Sequence, residues 1–210
     1  MAYTVNPEMP TVATSTTATS TTATSTSAEI GARPITEMAF TALGGQPAFE
    51  PGPLDAFLAA ERIAVLAYVR SDGRPNQAPL WYSYRDGTLW FSFETTSAKV
   101  RALRRDPRVT VTVQDERPPY RAVIIDGTVE MSDLDDEAQA NMALAVRYLG
   151  KVAAAKYEAM YRETREAAGT TLVRLVPSEV KGFDNTRAID RATLGFVRLR
   201  NRLPIPRHWL

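Results

Sequence analysis

The chain has 210 residues, a formal net charge of +1, no cysteine and a single histidine, His208. That length suits one domain with a sizeable core plus appendages, and the near-neutral balance gives no bulk attraction to nucleic acid, so any basic site has to be local. The missing cysteines exclude disulfides, thiol nucleophiles and zinc–thiolate centres; the lone histidine leaves little room for a histidine-based metal site, a Ser-His-Asp triad or a histidine-ligated haem.

The first segment is low-complexity. "ATSTTATSTTATSTS", from Ala13 to Ser27, repeats a unit of Ala, Thr and Ser with almost no large apolar side chains, so nothing offsets the entropy of ordering it. Disorder is expected to run on through "GGQPAFEPGP", giving a leader over residues 1–52, a folded domain over 53–184 and an Arg-rich tail over 185–210. No hydrophobic run is long enough to span a membrane. The N-terminus lacks the basic and apolar regions of a signal peptide, and Arg33 is its first basic residue. A soluble cytoplasmic protein is expected, with neither membrane nor nucleic acid as a partner.

The folded part is expected to open near Leu54 with a short helix, "LDAFLAAER". Strands follow. "IAVLAYVR" is mostly apolar, and "SDGRP" is a turn in which Gly73 supplies positive φ. In "NQAPLWYSY" Leu80, Tyr82 and Tyr84 share one face and Trp81 and Ser83 the other; Pro79 inside the run marks an edge or a bulge. Asp86-Gly87 is a two-residue hairpin signal, after which "LWFSF" puts Leu89, Phe91 and Phe93 on one face. A helix opens at Thr96 or Ser97 and stops before Pro107. "RVTVTVQD" alternates with Val109, Val111 and Val113 inward, and "YRAVIIDGTVEM" bends at Gly127. Several short strands joined by hairpins indicate a small antiparallel barrel. Two helices interrupt them. The first, "LDDEAQANMALAVRYL", is announced by an S-x-x-D capping signature at Ser132 and Asp135 and closed by Gly150; the second is closed by Gly169. "TLVRLVPSEVKGF" is the last strand, and beyond Asp184 the chain shows little periodicity.

The helix after Thr96 poses an electrostatic problem. A helix N-terminus favours acids, yet this one has Lys99 in its first turn, followed by Arg101, Arg104 and Arg105. With Thr96 as N-cap, Lys99 falls at N3, where a capping box places Glu or Gln. Two readings stand. The cations and the free first-turn N–H groups form an anion site, or the helix is a solvated basic surface. The nearby aromatics, Trp81, Tyr82, Trp90 and Phe91, either stack on a flat ring or belong to the barrel core or an interface. Arg198, Arg200, Arg202 and Arg207 suit RNA, anionic lipid or a partner subunit, or stay disordered, the last two being the favoured readings. No pair of catalytic carboxylates and no glycine-rich phosphate loop is present, so no metal ligand or catalytic side chain is assigned.

The stretches "IAVLAYVRSDGRPNQAPLWYSY", "DGTLWFSF", "SAKVRALRRDPRVTVTV" and "AVIIDGTVEM", between Ile63 and Met131, resemble the flavin/deazaflavin oxidoreductase family that includes pyridoxamine-phosphate oxidase, and within it the branch using coenzyme F420. The resemblance implies a mainly β (α+β) fold, a split β-barrel of the flavin-binding type with flanking helices. It implies a homodimer with the cofactor at the subunit interface, and hydride transfer between F420 and a small organic substrate. FMN is the alternative cofactor, and a non-catalytic carrier of deazaflavin, tetrapyrrole or lipid the alternative role. It places Lys99 at the cofactor phosphate, helped by Ser97 and Ala98, with Thr95, Thr96 and Arg101 also among the cofactor-binding residues. Asn76, Gln77, Ala78 and Pro79 form a strand lining the ring, and Tyr120 and Arg121 approach from the other subunit. Relatives often have Arg at the position of Ser97; Arg101 is the candidate to replace that contact. Tyr82 or Tyr120 is the guess for a proton donor.

Overall fold

The computed structural model describes residues 33–132 and 137–203, except the side chains of 137–140 and 165. The Thr-rich repeat, Asp135 of the expected capping signature, Arg207 and His208 lie outside the described residues.

A 3-10 turn, Ile35–Glu37, leads into β1 (Phe40–Ala42). Helix α1 (Pro51–Ala59) has proline in its first turn, where the missing N–H costs nothing, and buries Leu54, Phe57 and Leu58. β2 (Ala64–Val69) and β3 (Pro75–Leu80) form a hairpin whose turn is closed by the Arg70 N–H on the Arg74 carbonyl at 2.9 Å. β4 (Ser83–Arg85) and β5 (Thr88–Glu94) form the next, joined by Asp86 (φ 54°) and Gly87 (φ 69°). This is the pair of positive φ angles that a tight hairpin needs. Then come α2 (Ala98–Arg105), β6 (Arg108–Gln114) and β7 (Arg121–Ser132). Helical α3 (Glu137–Ala168) is broken at Gly150, φ 73°, into the two expected helices. β8 (Thr170–Asp184) and α4 (Arg191–Arg202) are the last strand and helix of the described residues.

The strands make one sheet in the order β3-β2-β6-β7-β8-β5-β4, with β1 added in parallel to the far half of β8. The two ends of that path, β3 and β4, are consecutive in sequence and separated only by Trp81 and Tyr82. The sheet therefore has to curl until its edges meet, which makes it a split barrel. β8 bridges the two halves, pairing with β5 through Thr170–Arg174 and with β1 through Val180–Gly182. The bend in β7/β8 is a bulge. Asp126 faces Glu179 and Gly127 faces Pro177, so Ser178 is the extra residue, and its hydroxyl donates to the Asp126 carbonyl at 3.0 Å. Gly127 is required there, because a Cβ would stand 2.2 Å from the Val176 carbonyl oxygen.

The inward faces are those the alternation predicts: Tyr82, Leu89, Phe91, Val111, Val113, Val123 and Ile125 are essentially inaccessible. Pro79 lies on edge strand β3, where a missing N–H is tolerated. Two expectations are corrected. Order begins well before Leu54: Ile35 is fully buried, Phe49 is 5% exposed, and the Leu43 N–H bonds the Gly182 carbonyl at 2.9 Å. Scattered large apolar residues among Pro and Gly were enough to anchor this stretch. Between Asp184 and Leu203 the chain is helical as well, a 3-10 turn at Asn185–Ala188 followed by α4. The Asp190 carboxylate caps α4 by accepting from the Ala192 and Thr193 N–H groups, both at 3.0 Å.

Candidate functional site

α2 is positioned by its entry turn. The Thr95 N–H donates to the Gly169 carbonyl at 3.0 Å, and the Thr95 and Thr171 hydroxyls pair at 2.9 Å, which ties the turn to the start of β8. Ser97 is the N-cap; its Oγ accepts from the Val100 N–H at 3.3 Å. Lys99 is therefore at N2, and the apolar Val100 takes the N3 place. Val100, Ala102 and Leu103 are buried on the barrel, which leaves Ser97 and Lys99 facing outward from that contact. The Arg101 guanidinium folds back to donate to the Thr96 carbonyl, and Arg105 reaches the Val69 carbonyl at 3.1 Å. Lys99 does neither. Its ammonium lies over the Phe93 ring, 4.4 Å from the centroid. Burial pushes its pKa below the ordinary lysine value. No carboxylate pairs with it among the described residues. The first-turn N–H groups of Ala98 and Lys99 have no helical acceptor.

A cavity of about 530 Å³ opens at this point. Its walls come from four directions: Pro79 and Trp81 at the end of β3, Ser92 and Phe93 of β5, Ser97 and Lys99 of α2, and Asn141 and Tyr157 of α3. Trp81 is clamped by the helices, stacked on Tyr148 with centroids 5.1 Å apart and planes 4° from parallel, with Tyr157 tilted at 5.5 Å. Of the alternatives open for Trp81, ring-stacking surface, core or interface, α3 covers part of it within the chain. Trp90 is likewise covered by cations, with the Arg85 guanidinium 4.4 Å from its centroid.

Of the residues singled out from sequence, Pro79, Ser97 and Lys99 line this cavity together. Asn76, Gln77 and Ala78 share the edge strand with Pro79 but stand further along it, where the Asn76 amide donates to the Tyr68 hydroxyl at 2.7 Å. Thr95 and Thr96 build the turn before Ser97, and Ala98 and Arg101 belong to α2 itself. Tyr120 and Arg121 lie elsewhere in the chain. Tyr120 is exposed, and the Arg121 Nε donates to Asp115 at 2.6 Å beside a separate cavity of about 600 Å³ that also takes in Arg62, Tyr148 and Arg198. The two cavities share Ile63. Tyr82 is removed as a proton donor. Its hydroxyl is inside the core, donating to the Leu58 carbonyl at 2.9 Å, and burial pushes its pKa up to about 12.

Sequence reasoning missed Ser92, Asn141, Tyr157 and Thr170. One signal was available. Asn141, Ala145 and Tyr148 recur at helical spacing on the stripe that α3 turns toward the barrel, and a lone Asn on an apolar stripe is out of place unless something binds it.

A curled antiparallel sheet with a helix N-terminus and a lysine at its split, flanked by helices, is the split barrel of the flavin-binding oxidoreductases. The family model described as pyridoxamine 5'-phosphate oxidase matches residues 52–184, and the chain belongs to that family. Among solved structures, a conserved hypothetical protein from Mycobacterium tuberculosis is 22% identical, with a TM-score of 0.55, over 70% of this chain and 92% of that one. An F420 reductase is 20% identical (TM-score 0.42, 60% and 94% covered). An FAD-binding protein from Mesorhizobium loti is 25% identical (TM-score 0.45, 60% and 88% covered). Among the described residues no helix is long and apolar enough to cross a membrane.

Proposed function

We propose that this chain is an oxidoreductase that holds coenzyme F420 and passes a hydride between it and a small organic substrate. The observation that carries the reading is Lys99: a half-buried ammonium at the second position of a helix, without a carboxylate partner among the described residues, lining a cavity with aromatic walls. A phosphate is the group that this corner lacks. It would accept from Lys99, from the first-turn N–H groups and from the Ser97 side, and its charge would offset both the helix dipole and the desolvation of the lysine. Trp81 and Phe93 supply flat apolar surface for a ring, and the clamp of α3 on Trp81 keeps that surface rigid. When bound, the deazaflavin supplies the two-electron chemistry; the protein anchors, orients and keeps water out. The choice of F420 rests on the likeness of "SAKVRALRRDPRVTVTV" and its neighbouring strands to that branch of the family.

The same reading includes a homodimer in which Tyr120 and Arg121 of one protomer complete the site of the other, since neither reaches the Lys99 cavity of its own chain. The test is direct. The purified chain is titrated with F420 and with FMN, following ligand fluorescence, and reduced F420 is then offered with a panel of acceptors. Tight binding of F420 with turnover supports the proposal. Preference for FMN moves the protein to the flavin branch, and binding without turnover makes it a carrier.

A further inference from the structure

α3 brings a carboxamide side chain into the Lys99 cavity. Asn141 is only 8% exposed yet lines the cavity wall. Its carboxamide is oriented from both ends: Oδ1 accepts from the Ser92 hydroxyl of β5, and Nδ2 donates to Thr170 Oγ1 at 3.1 Å. Three separate elements thus converge to hold one amide in one orientation. Each of these bonds uses half of what the amide offers, because a carboxamide has two N–H donors and two acceptor lone pairs. Among the described residues the second N–H and the second lone pair have no protein partner. Buried polar capacity of this kind is costly to leave unmet. The wall around it, from Trp81, Phe93, Leu144 and Tyr157, is mainly ring and aliphatic surface; Glu94 is at the exposed rim.

We propose that Asn141 reads the ligand's ring by binding an imide edge, the alternating C=O and N–H of a pyrimidinedione, through its remaining donor and acceptor. This rests on the cofactor reading above and sharpens it. A carboxamide and an imide edge are complementary as a pair of antiparallel hydrogen bonds. A porphyrin or an acyl chain has no such edge and would leave the Asn141 amide buried and unmet, a mismatch that sites built around polar groups reject strongly. The Ser92–Asn141–Thr170 network therefore selects for flavin and deazaflavin rings, which carry that edge alike, and against tetrapyrroles and lipids. Ser92 and Thr170 act as positioning residues.

The full chain and its Asn141→Leu, Asn141→Asp and Ser92→Ala variants are titrated with F420, FMN and haem, and each complex is followed by absorbance as pH is raised. The wild type is expected to bind F420 or FMN. Asn141→Leu should lose about tenfold or more in affinity, and Ser92→Ala a smaller factor. In Asn141→Asp, whose side chain is isosteric and preserves the fold if Leu does not, the carboxylate repels the deprotonated imide. Ionisation of the bound imide is then displaced to higher pH than in the wild type, which a side chain remote from the imide edge would not do. Wild-type binding with variants unchanged in affinity and ring ionisation overturns this inference alone. Tight haem binding abolished by Asn141→Leu overturns it too. Failure of the wild type to bind either F420 or FMN overturns the cofactor reading, and this inference with it.

Discussion

The ammonium of Lys99 sits 4.4 Å from the centroid of the Phe93 ring, one residue into a helix whose N-cap is Ser97. The ring's negative face partly compensates a charge that the helix end repels. Replacing Lys99 by Ala should lower cofactor affinity by about ten- to a hundredfold, the loss of a charge-assisted contact of roughly 1.5–3 kcal/mol. Lys99→Glu should lower it further. The free protein should change little in melting temperature, because the lost cation–π contact (~0.5–1 kcal/mol) and the relieved dipole conflict (~0.3–1 kcal/mol) oppose each other. Titrations and thermal melts on both variants check this, and unchanged affinity in Lys99→Glu would return the helix to the solvated-surface reading.

Two buried groups give the stability opposite alkaline slopes. Lys99 has its pKa lowered by burial, so between that value and the ordinary 10.5 the unfolded chain holds more protons and stability rises with pH. Tyr82 has its pKa raised from 10.0 to about 12, chiefly by burial; its contribution is complete below 10.0 and is lost as pH rises toward 12. Lys99→Met should flatten the first slope and Tyr82→Phe the second, measured by urea unfolding across the alkaline range. Cofactor affinity should also fall as Lys99 loses its proton, and Lys99→Met should abolish that dependence.

Tyr82→Phe separates structure from catalysis. The hydroxyl is buried against the Leu58 carbonyl, so its loss should cost about 1–2 kcal/mol at neutral pH. Hydride transfer should be unaffected, because Tyr82 does not line the cavity. A large drop in turnover at unchanged cofactor affinity would restore it as a proton donor.

Gly127 tests the bend of the barrel. Its Cα faces the Val176 carbonyl so closely that an added methyl would be 2.2 Å from the oxygen, and both neighbours are backbone. Gly127→Ala should therefore destabilise by about 3 kcal/mol or more. Ser178→Ala, which removes only the hydroxyl on the bulged residue, should cost about 1 kcal/mol. Equal, small losses in both would mean that the bulge relaxes freely.

Much of this was legible because strand alternation is local. Val109, Val111 and Val113, or Leu89, Phe91 and Phe93, declare their inner face within one strand, and Asp86-Gly87 and Gly73 declare the turns between. Lys99 was legible because a dipole conflict is visible in a single turn. Asn141 was legible only as a polar residue on an apolar stripe: its partners Ser92 and Thr170 are remote in sequence and meet it only when α3 folds across the barrel. Ile35 and β1 escaped for the same reason, since a three-residue strand that pairs with Val180–Gly182 carries no pattern of its own. Trp81 was expected inside one strand running on to Tyr84, yet it lies in the two-residue break between β3 and β4, because alternation persists across a break that only the curl of the sheet reveals.

The last prediction concerns the proposed dimer. With Trp81 covered by Tyr148, exposed large apolar side chains remain on α3 (Val152 77%, Met160 73%) and, beside Tyr120 (48%), on α4 (Phe196 57%, Leu199 58%); only the second group adjoins the residues expected to reach the other protomer's site. α4 has no buried residue at all within one chain, although Phe196, Leu199 and Leu203 fall within an arc of about 60° on its surface. A helix of this length is marginal alone in water, so a second protomer is the natural cover for it. Asn201 ties it to the Pro118 carbonyl at 2.6 Å, close in sequence to Tyr120 and Arg121. A partner seated on α4 would thus also sit on the residues expected to reach its cofactor. Sedimentation at micromolar concentration should give a dimer, and Phe196→Ser with Leu199→Ser should shift it to monomer and weaken cofactor binding together. A monomeric wild type that still binds cofactor tightly would sink the shared-site arrangement, and a variant that stays dimeric would place the interface on another face.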